Sequence, residues 1–280
     1  MAETPDNSLL SQVGGGAGAD PSRGFDPDTA SPARIYDFYL GGKDNYASDR
    51  AVAQQQLIAA HPVVLAGAKG NRRFLVRAVE TLAQAGVRQF IDIGAGIPTS
   101  PNTHEVAKRF QPDAKVVYVD NDPVVLAHTR ALRDAPGVLA VEGDIRQPDA
   151  ILDDEALNQH IDFSQPVGLL LVAVLHFVRH EEQPGQLVER LVRRLAPGSH
   201  LVVSTGSSEG HTPQDVARFE ATYRKSSSPL VLHSRAEVEG WLGRFEVLDP
   251  GVVSVFKWRA DEEIPGNLSF LGGVGRLPTP

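Results

Sequence analysis

Three consecutive strand ends in this chain carry side chains and backbone suited to holding a nucleoside. Gln89-Phe90-Ile91-Asp92-Ile93-Gly94-Ala95-Gly96 reads as a short buried strand running into a glycine turn. Val116 to Val119 reads as a second strand, ending in Asp120-Asn121-Asp122, and Val138 to Glu142 as a third, ending in Gly143-Asp144. A glycine after a strand can take positive φ and bring backbone N–H groups close to a ligand. Asp120 can accept hydrogen bonds from both hydroxyls of a ribose. Asp144 can accept from an exocyclic adenine amine, with the Ile145 backbone beside the ring. Ligands of this kind lie across the carboxyl edge of a parallel sheet.

The spacing separates one nucleoside cofactor from another. Dinucleotide sites carry a third glycine under the pyrophosphate; here Thr99 stands there, and Pro98 removes a further N–H donor. Dinucleotide enzymes do not need a third acid such as Asp144. An adenosyl group without pyrophosphate accounts for all three positions better than a nicotinamide cofactor does. No Gly-x-x-x-x-Gly-Lys run occurs, so phosphate-loop chemistry has no support, and Ser204 to Ser208 lacks the Gly-x-Ser-x-Gly of a serine hydrolase.

The elements that must position these residues alternate. A helix is expected over about 63–85, with Leu75, Ala78, Val79 and Leu82 on one stripe and Gly86 as its stop. Helices are expected from Asn102 to Phe110, with Glu105 closing a capping box, and from Pro123, with Asp122 as cap. Val167–Val174 is the most apolar strand and so the central one. Glu182–Leu195 reads as a helix and Ser199–Ser204 as a fifth strand. After helices near 213–223 and 236–242, Phe245–Leu248 and Val252–Trp258 flank Asp249-Pro250-Gly251, the spacing of a hairpin. The fold class is therefore α/β: a doubly wound, Rossmann-like, seven-stranded, mostly parallel sheet closed by an antiparallel hairpin.

The 280 residues are 41% hydrophobic and 22% charged, the composition of a globular chain, with no apolar run long enough for a membrane span. The start lacks the pattern of a signal peptide, which makes the cytoplasm the default location. There is no cysteine, so no disulfide or thiolate metal site. A net charge of −8 favours a small-molecule substrate over nucleic acid. Residues 1–30, rich in Gly, Ser, Pro and Asp, are expected to be a disordered tail. Residues 31–60 form an N-terminal arm, beginning as a helix at Ser31-Pro32, and 61–280 the main domain. Oligomeric state is not legible.

The glycine turn, Asp120 and Asp144 resemble, in order and spacing, the first three motifs of S-adenosylmethionine-dependent class I methyltransferases. The resemblance covers about residues 60–258, and the hairpin at 245–258 is similar to the closing strands of that fold. A closer similarity is to the bacterial group catalogued as methyltransferase family 19, formerly a domain of unknown function. It is carried by 33–46 (Ala33-Arg34-Ile35-Tyr36-Asp37-Phe38-Tyr39-Leu40-Gly41-Gly42-Lys43-Asp44-Asn45-Tyr46), Gly70-Asn71-Arg72-Arg73-Phe74 and the Pro98-Thr99 variant of the glycine turn. Val119 to Pro123, Val174-Leu175-His176-Phe177 and Gly272 to Arg276 add to it. The resemblance implies S-adenosylmethionine as cofactor and leaves the methyl acceptor open, with a small molecule accepting at oxygen or nitrogen expected.

Methyl transfer needs positioning and desolvation more than side-chain chemistry. Where the acceptor arrives protonated, His176, just beyond the central strand, is the candidate base, and His104 a weaker one. Candidate cofactor contacts are Asp92, Gly94, Ala95, Gly96, Asp120, Asn121, Asp144, Ile145 and Ala173. The arm is a candidate lid: Tyr36, Tyr39 and Tyr46 could close over the cofactor, Gly41-Gly42 permits a bend, and Arg34 could meet the methionine carboxylate. Asn71 and Arg72 could reach the same end. No metal site is expected: the nine histidines are scattered, and His176 and His180, four apart, span a strand end and a loop. A non-catalytic S-adenosylmethionine binder and a nicotinamide-dependent oxidoreductase are the alternative readings.

Overall fold

Period-two alternation sorts the strand side chains onto two buried faces. The computed structural model describes residues 26–60, 63–132, 135–260 and 270–279. Strands β1 (Gln89–Ile93), β2 (Lys115–Asp120), β3 (Val138–Glu142), β4 (Gly168–Val172) and β5 (His200–Gly206) are parallel, in the order β3-β2-β1-β4-β5. Phe90, Val116, Tyr118, Leu170 and Val202 face one side, where α3 (Val63–Gln84) and α4 (Thr103–Lys108) pack. Ile91, Val117, Val119, Leu169, Leu171 and Val203 face the other, against α6 (Pro148–Leu152), α7 (Glu155–His160), α8 (Pro184–Val192) and α10 (Arg235–Trp241). Both faces are covered, as a parallel sheet requires. On α3, Phe74, Leu75, Ala78, Val79 and Leu82 are buried, the stripe its periodicity predicts.

The helix starts follow their caps. Asp122 Oδ1 accepts from Val124 N at 2.8 Å, ahead of Pro123 at the first position of α5 (Pro123–Arg130). Glu105 Oε2 accepts from Asn102 N at 2.5 Å at the start of α4. These contacts fix where the chain turns away from the sheet rim, and so where the site residues stand.

The antiparallel closure is present, but its partner differs from the expected hairpin. β6 (Glu246–Val247) and β7 (Val253–Ser254) do not pair with each other; both pair with β8 (Phe270–Arg276), which inserts antiparallel beside β5. Residues 255–259 form turns instead of strand, and Trp258 is buried under α3 beside Phe74. The turn signal at Asp249-Pro250-Gly251 was genuine, with Gly251 at φ +88°, but a more distant segment captures both flanks. Three glycines give β8 its place: a Cβ at Gly275 would fall 2.5 Å from Phe245, and one at Gly272 2.9 Å from Phe74. The chain on either side approaches too closely for side chains there.

The arm folds as α1 (Pro32–Leu40) and α2 (Ala47–Ala60), whose Ile35, Tyr39, Val52 and Ala53 form a separate small core with Ala30, Ala68 and Tyr223. Of the expected tail, 1–25 lies outside the described residues. Asp26 to Thr29 form a turn and Ala30 bridges Ser226, so that part belongs with the arm. Among the described residues no helix is long and apolar enough to cross a membrane. Between α9 (Pro213–Thr222) and α10 the chain returns along the arm, where Ser226 bridges Ala30, and both border the cleft at the sheet's carboxyl edge.

Candidate functional site

The carboxyl ends of β1 to β4 open into one cavity of about 430 Å³, within the range of small-molecule and cofactor sites. It is lined by Asp92, Gly94, Ala95 and Gly96 from the β1 side, Asp120 and Asn121 after β2, Asp144 and Ile145 after β3, and Ala173 after β4. Arg34 and Tyr36 of α1 and Asn71 and Arg72 of α3 form its other wall. All the nominated cofactor contacts on the strand ends, with Arg34, Tyr36, Asn71 and Arg72, therefore border a single cleft. Arg146, Phe177 and the Ser227-Ser228 loop also line it and were not among the nominated contacts.

The glycine turn is held open by its own conformation. Gly94 and Gly96 have φ of +72° and +69°. A Cβ on Gly94 would fall 2.4 Å from Val174, whereas one on Gly96 would meet nothing within 4 Å. The space over Gly96 is thus free for a ligand to approach the main chain. Asp120 Oδ2 accepts from Gly96 N and Oδ1 from Asp122 N, each at 2.9 Å. One carboxylate pins the glycine turn to the end of β2. Ala173, at the end of β4, also has positive φ, +59°, and its N–H is held by Ser204 O at 3.0 Å and Ser204 Oγ at 3.1 Å. A non-glycine residue in that region is backbone strain of the sort that collects at ligand sites.

Burial pushes both Asp92 and Asp120 up to about 6, against the hydrogen bonds from Thr103 and from the Asp122 and Gly96 amides, which act to lower them. The two consequences run in opposite directions. A carboxylate whose folded pKa is raised costs stability above that pKa, and the cost is relieved as pH falls from about 6 toward the ordinary 3.8. A protonated Asp120 can no longer accept from two hydroxyls. From pH 7 to pH 5 the unliganded protein is expected to melt higher, while affinity for adenosylhomocysteine falls about tenfold per blocked carboxylate. Melting scans and calorimetric titrations at the two pH values check both signs; affinity that is flat with pH would rule out a ligand-accepting Asp120.

Asp144 has a partner the sequence does not announce. Arg146 Nη2 donates to its Oδ2 at 2.7 Å and Arg146 Nε to its Oδ1 at 2.8 Å, with Asn121 Nδ2 at 3.2 Å from Oδ2. Burial acts to raise the Asp144 carboxyl, but the Arg146 bonds outweigh it and leave the pKa below the usual value. Arg146 is thereby fixed across the mouth of the cleft beside the buried Ile145 side chain.

On the arm side stands Arg34. Its Nη2 donates to Thr29 O at 2.8 Å, Nε lies 3.4 Å from Asp122 Oδ2, and Nη1 lies 3.6 Å from Asp49 Oδ2. With two carboxylates against it, Arg34 ties the arm to the rim of β2 while it lines the cleft. Arg72 Nη2 bonds to Thr99 O and Pro101 O, while its buried Nε has no partner among the described residues. Tyr36 Oη donates to Ala68 O at 2.9 Å and receives Asn71 Nδ2 at 3.0 Å, and Asn71 Oδ1 accepts from Ser204 Oγ at 2.5 Å. Of the three arm tyrosines, only Tyr36 borders this cleft. Tyr46 is exposed, with Arg34 over its ring at 5.2 Å, and Tyr39 faces a second cavity.

That second cavity, about 120 Å³, adjoins the first and shares Pro32, Tyr36 and Phe177 with it. Its walls are mostly apolar and aromatic: Tyr39, Phe219, Tyr223, Leu230, Leu232 and Phe270, with His176, His211 and Gln56 as polar members. His176 sits here, on a 3-10 turn (Leu175–Phe177), and not in the first cleft. Its Nδ1 accepts from Gly206 N at 3.2 Å, so the ring proton is on Nε2. Burial, with His233 adding to it, pushes its pKa down to about 3. A lone pair already engaged and so low a pKa correct the expectation of a base: His176 is a neutral hydrogen-bond donor. His104 is corrected too. It is buried, its Nδ1 2.8 Å from Tyr118 Oη, and it borders neither cavity.

A parallel sheet with an antiparallel edge, and a cleft over the ends of β1 to β4, define the class I methyltransferase architecture. The comparisons with known proteins agree. The profile of the S-adenosyl methyltransferase family matches residues 18–278, and the chain belongs to that family. Its cofactor is S-adenosylmethionine, and the nicotinamide alternative falls away. A DUF574 family protein from Streptomyces avermitilis MA-4680 is similar at 38% identity and TM-score 0.85, over 90% of this chain and 99% of that one. A candidate methyltransferase from Thermobifida fusca YX is similar at 37% identity and TM-score 0.84, over 90% of this chain and 96% of that one. An O-methyltransferase family protein from Burkholderia thailandensis shares the fold at 16% identity and TM-score 0.50, over 80% of this chain and 63% of that one. No curated protein matches the chain.

Proposed function

We propose that this methyltransferase acts on the oxygen or nitrogen of a small, uncharged, largely apolar acceptor seated in the second cavity. The observation that carries the reading is that wall: an aromatic-lined cavity opens beside the cofactor cleft, with Tyr36 and Phe177 common to both. When bound, the cofactor supplies an electrophilic methyl group on a sulfonium. The residues fit it. Asp120 would accept from ribose hydroxyls, the open space over Gly96 would let the ligand approach the main chain, Asp144 and Ile145 would flank an adenine, and Arg72 would face the carboxylate.

In the second cavity the protein excludes water and orients. His176 Nε2–H is the donor that can hold an acceptor's oxygen or ring nitrogen, and among the described residues no carboxylate borders the cavity to draw in a cation. With the His176 lone pair engaged by Gly206 N, acceptors that are neutral in solution and carry a free nitrogen lone pair suit the site, as do phenols that shed their proton to bulk water as they enter.

The test is a pair of measurements on the wild-type chain and on Leu230→Trp, which fills the second cavity without touching the first. Calorimetry with adenosylhomocysteine should give one-to-one binding to both, within about twofold of each other. Methyl transfer from labelled S-adenosylmethionine to a panel of phenols and N-heteroaromatics should occur with the wild type and be lost in the variant. Transfer that survives Leu230→Trp would move the acceptor elsewhere. Binding with no transfer to any acceptor would favour a non-catalytic S-adenosylmethionine binder.

A further inference from the structure

His180, His233 and Glu237 come from three places: a 3-10 turn (His180–Glu182) beyond β4, the loop before α10, and the third residue of α10. The fold gathers them so that a ligand-capable atom of each lies within 4.8 Å of the others. Glu237 Oε1 is 3.1 Å from His180 Nδ1 and 3.3 Å from His233 Nδ1. Tetrahedral zinc, with bonds of about 2.0–2.1 Å, sets neighbouring donors roughly 3.3 Å apart. Both carboxylate–imidazole spacings are close to that, and His180, which is exposed, is free to close the third.

The proton inventory at His233 points the same way. The residue is fully buried, and its Nε2 is 3.1 Å from Leu175 O, a contact that needs an N–H. In the neutral ring Nδ1 then carries a lone pair, which faces the acceptor Oε1 of Glu237. The other Glu237 oxygen, Oε2, is taken by Ser234 N and Ser234 Oγ, each at 2.7 Å. Oε1 is left between the two imidazole Nδ1 atoms, at 3.1 Å and 3.3 Å. A ring N–H anchored to a carbonyl behind a free ring nitrogen is how proteins orient a metal-binding histidine.

We propose that His180 Nδ1, His233 Nδ1 and Glu237 Oε1 form a binding site for a zinc-class divalent cation, with water completing its shell. An imidazole-rich N/O set suits zinc and its neighbours and not magnesium. The ion would tie the segment after β4, which carries His176 and Phe177, to the start of α10. It would thus brace one wall of the second cavity. This site stands whether or not the acceptor reading does.

The experiment is zinc titration by calorimetry of the full chain after chelator treatment and dialysis, at pH 7.5, with melting scans alongside. One-to-one binding with a rise in Tm is expected, and magnesium should give neither. His180→Ala and Glu237→Gln should each weaken zinc binding by roughly tenfold or more. The first residue is exposed, and glutamine keeps the capping role of the second, so both variants should fold. His128→Ala, at an exposed histidine elsewhere, should leave the titration unchanged. Absence of one-to-one zinc binding overturns the proposal. So does binding that His180→Ala and Glu237→Gln leave intact, or a His233 ring that nitrogen NMR shows doubly protonated with zinc present.

Discussion

Asp120→Asn is expected to raise the dissociation constant for adenosylhomocysteine by about two orders of magnitude while leaving the protein folded. The native carboxylate already accepts from the amides of Gly96 and Asp122. An asparagine can accept from one of them only, and its NH₂ then faces the other N–H, donor against donor. The glycine turn loosens and the acceptor for the ribose is lost together. Hydrogen bonds to a charged group contribute about 1.5–3 kcal/mol each, and about 2.7 kcal/mol corresponds to a hundredfold change. Loss of the buried charge partly compensates stability, because burial disfavours that charge. Calorimetry on wild type and variant is the check, with circular dichroism to confirm folding. An unchanged affinity would remove Asp120 from the site.

The second large effect is on stability. Trp258→Ala is expected to cost about 3–5 kcal/mol, the range for truncating a buried large aromatic. Trp258 is fully buried, with Phe74 of α3 edge-on at 5.4 Å, in the cluster that also holds Val274 of β8. Arg77 fastens the turn from the helix side, its Nε donating to Trp258 O at 2.8 Å and its Nη2 to Val255 O at 2.6 Å. Trp258→Phe should be far milder: it keeps a ring and deletes Nε1, a buried donor with no partner among the described residues. Urea unfolding of the two variants separates the cases. A Trp258→Ala loss below about 1 kcal/mol would mean that 255–259 does not contribute to the core as described.

How much of this was legible in the sequence depends on whether a residue's partner was local. β1, β2 and β4 could be read because burial on both faces leaves a continuous apolar run, and the caps at Asp122 and Asn102 because their partners lie within three residues. The cleft followed, since strand ends in a parallel sheet share one rim. β8 was not legible: Phe270-Leu-Gly-Gly-Val-Gly-Arg carries three glycines that weaken any strand signal, and each is there because Phe74, Leu242 or Phe245 packs onto it. The hairpin reading failed for the same reason, its two halves being held by that distant strand. His176 and Arg34 show the limit for site residues. Residue type suggested a base and a carboxylate receptor, but the Gly206 amide and the acids Asp49 and Asp122 decide what each can do. The His180–His233–Glu237 group spans over fifty residues of chain, beyond any spacing rule.

The placement of β8 has a bearing on how the chain matures. Its neighbour β5 precedes it by more than sixty residues of chain and lies beside it along its whole length. Until Phe270 to Arg276 leave the ribosome, β5 is an unpaired, strongly apolar edge, the kind that recruits strands from other chains. Docking of β8 covers that edge of β5, so the order in which the strands are made bears on what the unfinished sheet presents to other chains.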